Sequence, residues 1–148
     1  MSKRLVVSSL VGAAAVASAV AFATSADAAA PAEPTISKAA ARYTTSTAGA
    51  SLTFTATVAD SSGVKSLKVL AWPASSGLAP TADEMKAVEG AKCKATSTTT
   101  SVCTYTAKSS ARESAALPEG TWYVSVLATA KDHGTTFEPK ATTFTLKH

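Results

Sequence analysis

The chain has 148 residues, 46% hydrophobic and 16% charged, with two cysteines and a formal net charge of +4. That length suits one domain rather than two. A charged fraction below the ~25% typical of globular domains argues against a disordered polyelectrolyte. Asn and Gln are absent, and Thr, Ser and Ala fill the polar and small positions.

The first residues read as an export signal. Met1-Ser2-Lys3-Arg4 is a short basic start, Leu5 to Ala23 carries no charge, and Ala26-Asp27-Ala28 has the A-x-A form of a signal-peptidase site. Small residues are needed there because the peptidase pockets admit little more than a methyl group. Cleavage is expected after Ala28, with Ala30 as the alternative, so residues 1–28 form a leader. The apolar stretch is nearly long enough to span a bilayer, but its Ala and Ser content makes it weakly hydrophobic, which disfavours an uncleaved anchor. Its removal leaves 12 Lys and Arg against 9 Asp and Glu, a net charge of +3 with the lysines scattered. Without a basic cluster or interleaved aromatics, nucleic acid is not an expected partner. No cysteine near the cleavage site could carry a lipid, so no membrane attachment is expected after processing.

Cys93 and Cys103 are expected to form a disulfide, since export leads to an oxidising compartment. The polar run Thr96 to Thr100 between them suits a turn. A metal site would need more ligands than the two histidines, His133 and His148, can supply, and no metal or cofactor is expected.

Residues 29–44 read as an extension holding a possible first strand, Thr35 to Tyr43. From Ser51 the period is two: Leu52, Phe54, Ala56 and Val58 alternate with Thr53, Thr55 and Thr57. Asp60-Ser61-Ser62-Gly63 is a turn, because Asp caps its own backbone and Gly63 tolerates positive φ. Val64 to Trp72 is the next strand, ended by Pro73. Thr81 and Glu84 have capping-box spacing, with Gly90 as the terminator, so a short helix over about 82–89 is expected in a crossover. Strands follow at 91–95 and 102–107, joined through the disulfide hairpin. Ser110 and Glu113 repeat the capping spacing before Pro118. A long strand covers Thr121 to Ala130, Asp132-His133-Gly134 turns the chain, and Phe144 and Leu146 mark the last strand. About seven short strands with regular turn signals predict an all-β, two-sheet antiparallel sandwich.

Two stretches carry a resemblance. Ser62-Gly63-Val64-Lys65-Ser66-Leu67-Lys68-Val69 is similar to the B–C region of bacterial immunoglobulin-like domains. Leu117 to Val126, with Gly120, Trp122, Val124 and Val126, is similar to their strand F. The whole chain also resembles small secreted actinobacterial proteins that form a domain of unknown function. These likenesses imply an immunoglobulin-like sandwich over about residues 45–148 and supply no catalytic residues. The cysteines sit in one hairpin rather than on strands B and F, which departs from immunoglobulin proper.

Enzyme chemistry lacks parts. His133 and Asp132 adjoin in an apparent turn, His148 is the last residue, and no serine sits in a G-x-S-x-G elbow. Asp83, Glu84 and Glu113 open helices, where they complement the dipole; Glu119 and Glu138 adjoin prolines. No pair suits glycoside hydrolysis, and Asp60 with two serines falls short of a calcium cluster.

Strand parity offers a binding patch. Leu67, Val69 and Ala71 share one face, as do Trp122, Val124, Val126 and Ala128, so Leu70, Trp72, Tyr123 and Leu127 gather on the outer surface if both strands bury the cleaner face. That patch is either an exposed interaction surface or is covered by residues 73–90, with Met85 and Val88 turned inward. The expected function is a secreted, non-catalytic immunoglobulin-like module that binds an extracellular protein or cell-envelope component. The alternative is a small secreted protease inhibitor using the Cys93–Cys103 hairpin loop.

Overall fold

The computed structural model describes residues 29–148; the expected leader lies outside the described residues. Seven strands are present: β1 (Thr35–Ser46), β2 (Gly49–Ala59), β3 (Val64–Pro73), β4 (Lys92–Ala95), β5 (Thr100–Ser110), β6 (Gly120–Ala130) and β7 (Thr135–Leu146). They form two antiparallel sheets, ordered β1-β2-β5-β4 and β3-β6-β7. The all-β, two-sheet sandwich anticipated from alternation is therefore the architecture.

Alternation places the core. β2 buries Leu52, Phe54, Ala56 and Val58 and leaves the intervening threonines half-exposed. Phe54 and Val58 from that sheet meet Leu67, Val69, Val124 and Val126 from the other. Only β6 is buried along nearly its whole length on both faces: its inward residues join the core, while Ser125 and Leu127 are buried on the outer side. That is the signature of a central strand with cover on each side.

Two short helices interrupt the strands, α1 (Ala82–Met85) and α2 (Ala111–Ala115). Each begins with the capping box its spacing predicts. The Thr81 hydroxyl accepts from the Glu84 N–H and the Glu84 carboxylate accepts from the Thr81 N–H at 2.8 Å; Ser110 and Glu113 do the same, again at 2.8 Å. These N–H donors hold both glutamate carboxyls below their ordinary pKa, with the capping hydroxyls adding to the effect. The helix expected over 82–89 ends earlier, at Met85. The chain must straighten there because Glu89 and Ala91 bond to β3: Val69 donates its N–H to the Glu89 carbonyl at 3.0 Å, and Ala91 donates to Leu67 at 2.8 Å.

β4 is only four residues long and covers Ser101–Thr104 of β5. Cys93 lies opposite Cys103 in that pairing, and the two form a disulfide across adjacent strands. The turn between them is held by Ser97, whose hydroxyl oxygen accepts from the N–H groups of Thr99 and Thr100. β4 has so few ladder bonds that the covalent link is its main restraint. Replacing both cysteines with alanine should lower unfolding stability by about 2–3 kcal/mol, measured by urea titration of the mature chain, with the midpoint moving and β4 amides losing hydrogen-exchange protection first.

Candidate functional site

The outer face of the β3-β6-β7 sheet holds the four residues of the expected patch. Trp72 lies directly opposite Tyr123 in the ladder, with ring centroids 4.8 Å apart. Leu70 and Tyr123 are half-buried, while Trp72 and Leu127 are buried. The patch is thus covered rather than exposed. Pro73 ends β3, a 3-10 turn over Ala74–Ser76 follows, and the capped helix α1 brings the fully buried Met85 back against the sheet. The Lys68 ammonium ties this return segment down by donating to the Val88 carbonyl at 2.9 Å. Lys140 lies over the Tyr123 ring at 4.3 Å from its centroid, a cation–π contact.

A polar relay fixes the Trp72 ring. Its indole N–H donates to the Ser125 hydroxyl at 2.8 Å, and Ser125 donates to the Pro139 carbonyl at 2.6 Å. Ser125 is fully buried, so both of its bonds matter. β7 bulges here, its register passing from Thr142 opposite Val124 to Glu138 opposite Val126, which turns the Pro139 carbonyl toward Ser125. No local sequence pattern announces that bulge; Pro139, unable to donate to a ladder, is its only trace.

A different feature opens between the sheets. On the β1 and β7 side, rings fill the gap: Tyr43 stacks on Phe144 with centroids 5.9 Å apart, and Phe144 on Trp122 at 5.9 Å. On the β3 and β5 side, the inward positions Ala71, Ala107 and Ser109 carry small side chains. Facing sheets stand about 10 Å apart, and such residues cannot span that distance. β4 stops opposite Thr104, so no strand closes the edge beyond it. The outcome is a cleft of about 460 Å³, walled by Leu52, Val69, Trp122, Phe144 and Leu146 and rimmed by Val88, Glu89 and Lys108.

The polar groups of the cleft divide clearly. Trp122 donates its indole N–H to the Pro118 carbonyl at 2.9 Å, and the Tyr105 hydroxyl donates to the Glu89 carboxylate at 3.0 Å across the rim. Partial burial, then the bond and charge of Glu89, raise the Tyr105 phenol above its ordinary pKa. The Tyr43 hydroxyl is buried and has no hydrogen-bond partner among the described residues. Parity reasoning assigned Ala71 to the core face but missed the cleft, because a small inward residue leaves a void only when the residue facing it is also small.

The remaining sequence candidates serve turns. Asp60 accepts from the Ser62 N–H at 2.8 Å and hydroxyl at 2.6 Å. Asp132 accepts from the Gly134 N–H at 3.0 Å, while His133 occupies a left-handed turn position with φ 74° and is exposed. Among the described residues, no three His, Cys, Asp or Glu side chains group as metal ligands would, and no helix is long and apolar enough to cross a membrane.

Comparison with known proteins places the chain's sequence but not its activity. The profile of a family of unknown function, DUF5707, matches residues 36–128, from the start of β1 well into β6. No curated protein and no solved structure matches.

The buried relay makes a specific prediction. Ser125→Ala leaves the Trp72 indole N–H and the Pro139 carbonyl without partners, which should cost about 1–3 kcal/mol of stability. Wild-type emission should be blue and poorly quenched by iodide, since both tryptophans are buried; in Ser125→Ala a quenchable component should appear that Trp72→Phe abolishes.

Proposed function

The chain belongs to the DUF5707 family of unknown function, and we propose that it is a secreted, non-catalytic immunoglobulin-like module that holds an apolar group of an extracellular protein or cell-envelope component between its sheets. The observation that carries this reading is the open apolar cleft of about 460 Å³. Sandwich cores are close-packed, so a void of that size with aromatic walls has a volume typical of ligand sites. Its apolar lining would release water on taking an apolar group, the main driving force for association.

Secretion is supported by the basic start, uncharged stretch and A-x-A site of residues 1–28, and by a disulfide that suits an oxidising compartment. The immunoglobulin-like reading is supported by strand order: β1-β2-β5-β4 and β3-β6-β7 correspond to strands ABED and CFG of the constant-type sandwich. The hairpin supports an inhibitor less well. Its turn is tied to the core by the Asp60 N–H donating to the Thr99 carbonyl at 2.8 Å, but Thr96 to Thr100 offer no large side chain to fill a protease pocket.

Two measurements check the reading. The secreted protein should begin at Ala29 on N-terminal sequencing. In Trp72→Phe, where Trp122 is the only tryptophan of the mature chain, the neutral fluorophore N-phenyl-1-naphthylamine should bind at one site and quench Trp122 by energy transfer. Adding Ala107→Phe, which fills the cleft, should leave the protein folded by circular dichroism and lower that affinity by roughly tenfold or more. Equal binding with and without Ala107→Phe would place the probe elsewhere and sink the proposal.

A further inference from the structure

The cleft also specifies what kind of molecule it holds. We infer that its ligand is a small uncharged apolar molecule bearing one hydrogen-bond-accepting oxygen, and that the Tyr43 hydroxyl donates to that oxygen; this rests on the cleft being the binding site proposed above. Three observations carry it. First, the Tyr43 hydroxyl is buried with no partner among the described residues. Such groups are rare in folded proteins because they give up water and regain nothing. Second, the other polar handles on the aromatic wall are committed, the Trp122 indole to Pro118 and the Tyr105 hydroxyl to Glu89. Tyr43 is the aromatic side chain left with bonding capacity, and a phenol donates one proton to one acceptor.

Third, charge stays outside. The charged residues lining the cleft are Glu89 and Lys108, both exposed, and Glu89 already accepts from Tyr105. An ionised group drawn inward would lose its water without meeting a counter-charge, whereas a ketone, ester or ether oxygen needs one donor. Tyr43 is held for this task by its stack on Phe144, with an interplanar angle of 19°, and by its place opposite Leu52, which pairs in turn with Ala107. The row therefore runs from the phenol across the cleft wall to the small residue at the open side. A ligand lying over Ala107 would reach inward to Tyr43.

The test uses two neutral fluorophores of similar size on the processed chain. Prodan is a naphthalene bearing a propionyl carbonyl, and N-phenyl-1-naphthylamine has no oxygen. Tyr43→Phe keeps the ring stack and removes the orphan hydroxyl, so it should melt no lower than wild type. It should weaken prodan binding by roughly tenfold, the worth of one buried hydrogen bond, and leave N-phenyl-1-naphthylamine affinity within about twofold. Bound prodan should also emit further to the blue in Tyr43→Phe, because its carbonyl loses a donor. If Tyr43→Phe changes neither prodan affinity nor its emission, the assignment of Tyr43 is overturned while the cleft stands. If neither fluorophore binds wild-type protein, the cleft itself is not a site and both readings fall.

Discussion

Two sheets facing one another leave a gap of about 10 Å that side chains must fill, and the structure follows from how unevenly this chain fills it. At the centre, Phe54, Val58, Leu67, Val69, Val124 and Val126 interlock. Toward β1 and β7 the stacked rings of Tyr43, Phe144 and Trp122 close the sandwich. Toward β3 and β5 the inward alanines and the short β4 leave it open. The same parity rule that builds the core thus builds the cleft. Large residues at alternating positions seal one flank, and small residues at the equivalent positions leave the other unsealed.

The outer face of the smaller sheet is the second consequence. A strand such as β6, apolar on both sides, cannot stop at one core; Leu127 and the Trp72 ring beside it need cover as well. The segment after Pro73 provides it, anchored at Met85 and by the pairing of Glu89 and Ala91 with β3. That pairing also carries Glu89 to the rim of the cleft, where Tyr105 reaches it. One return loop therefore covers a hydrophobic face and frames a binding mouth, which couples the two surfaces mechanically. Ser125 holds the arrangement from beneath by linking Trp72 to the bulge at Pro139.

Much of this was readable from residues alone, wherever the cause is local. Thr81 with Glu84 and Ser110 with Glu113 form their capping boxes because the partners lie three residues apart. The threonine alternation of β2 forces a half-buried strand, Asp60 closes its own turn, and Cys93 meets Cys103 across a hairpin. The parity of Trp122 and its neighbours, and the covered alternative for the Trp72 face, could be written down from period two. Whether that face was covered could not, because the choice depends on where a loop lands eighteen residues after Pro73 rather than on any neighbour in sequence.

The sequence by itself determined the strand pattern, the caps, the disulfide partners and which side of each strand is apolar, since these depend on spacings of two to ten residues. Tertiary structure alone decided the rest. The cleft exists because Ala71 and Ala107, 36 positions apart, flank the same gap between the sheets. The orphan hydroxyl of Tyr43 exists because the fold buries it away from every other donor and acceptor described. A void and an unmet hydrogen bond are properties of what surrounds a residue, and those surroundings come into being only when distant strands are brought together.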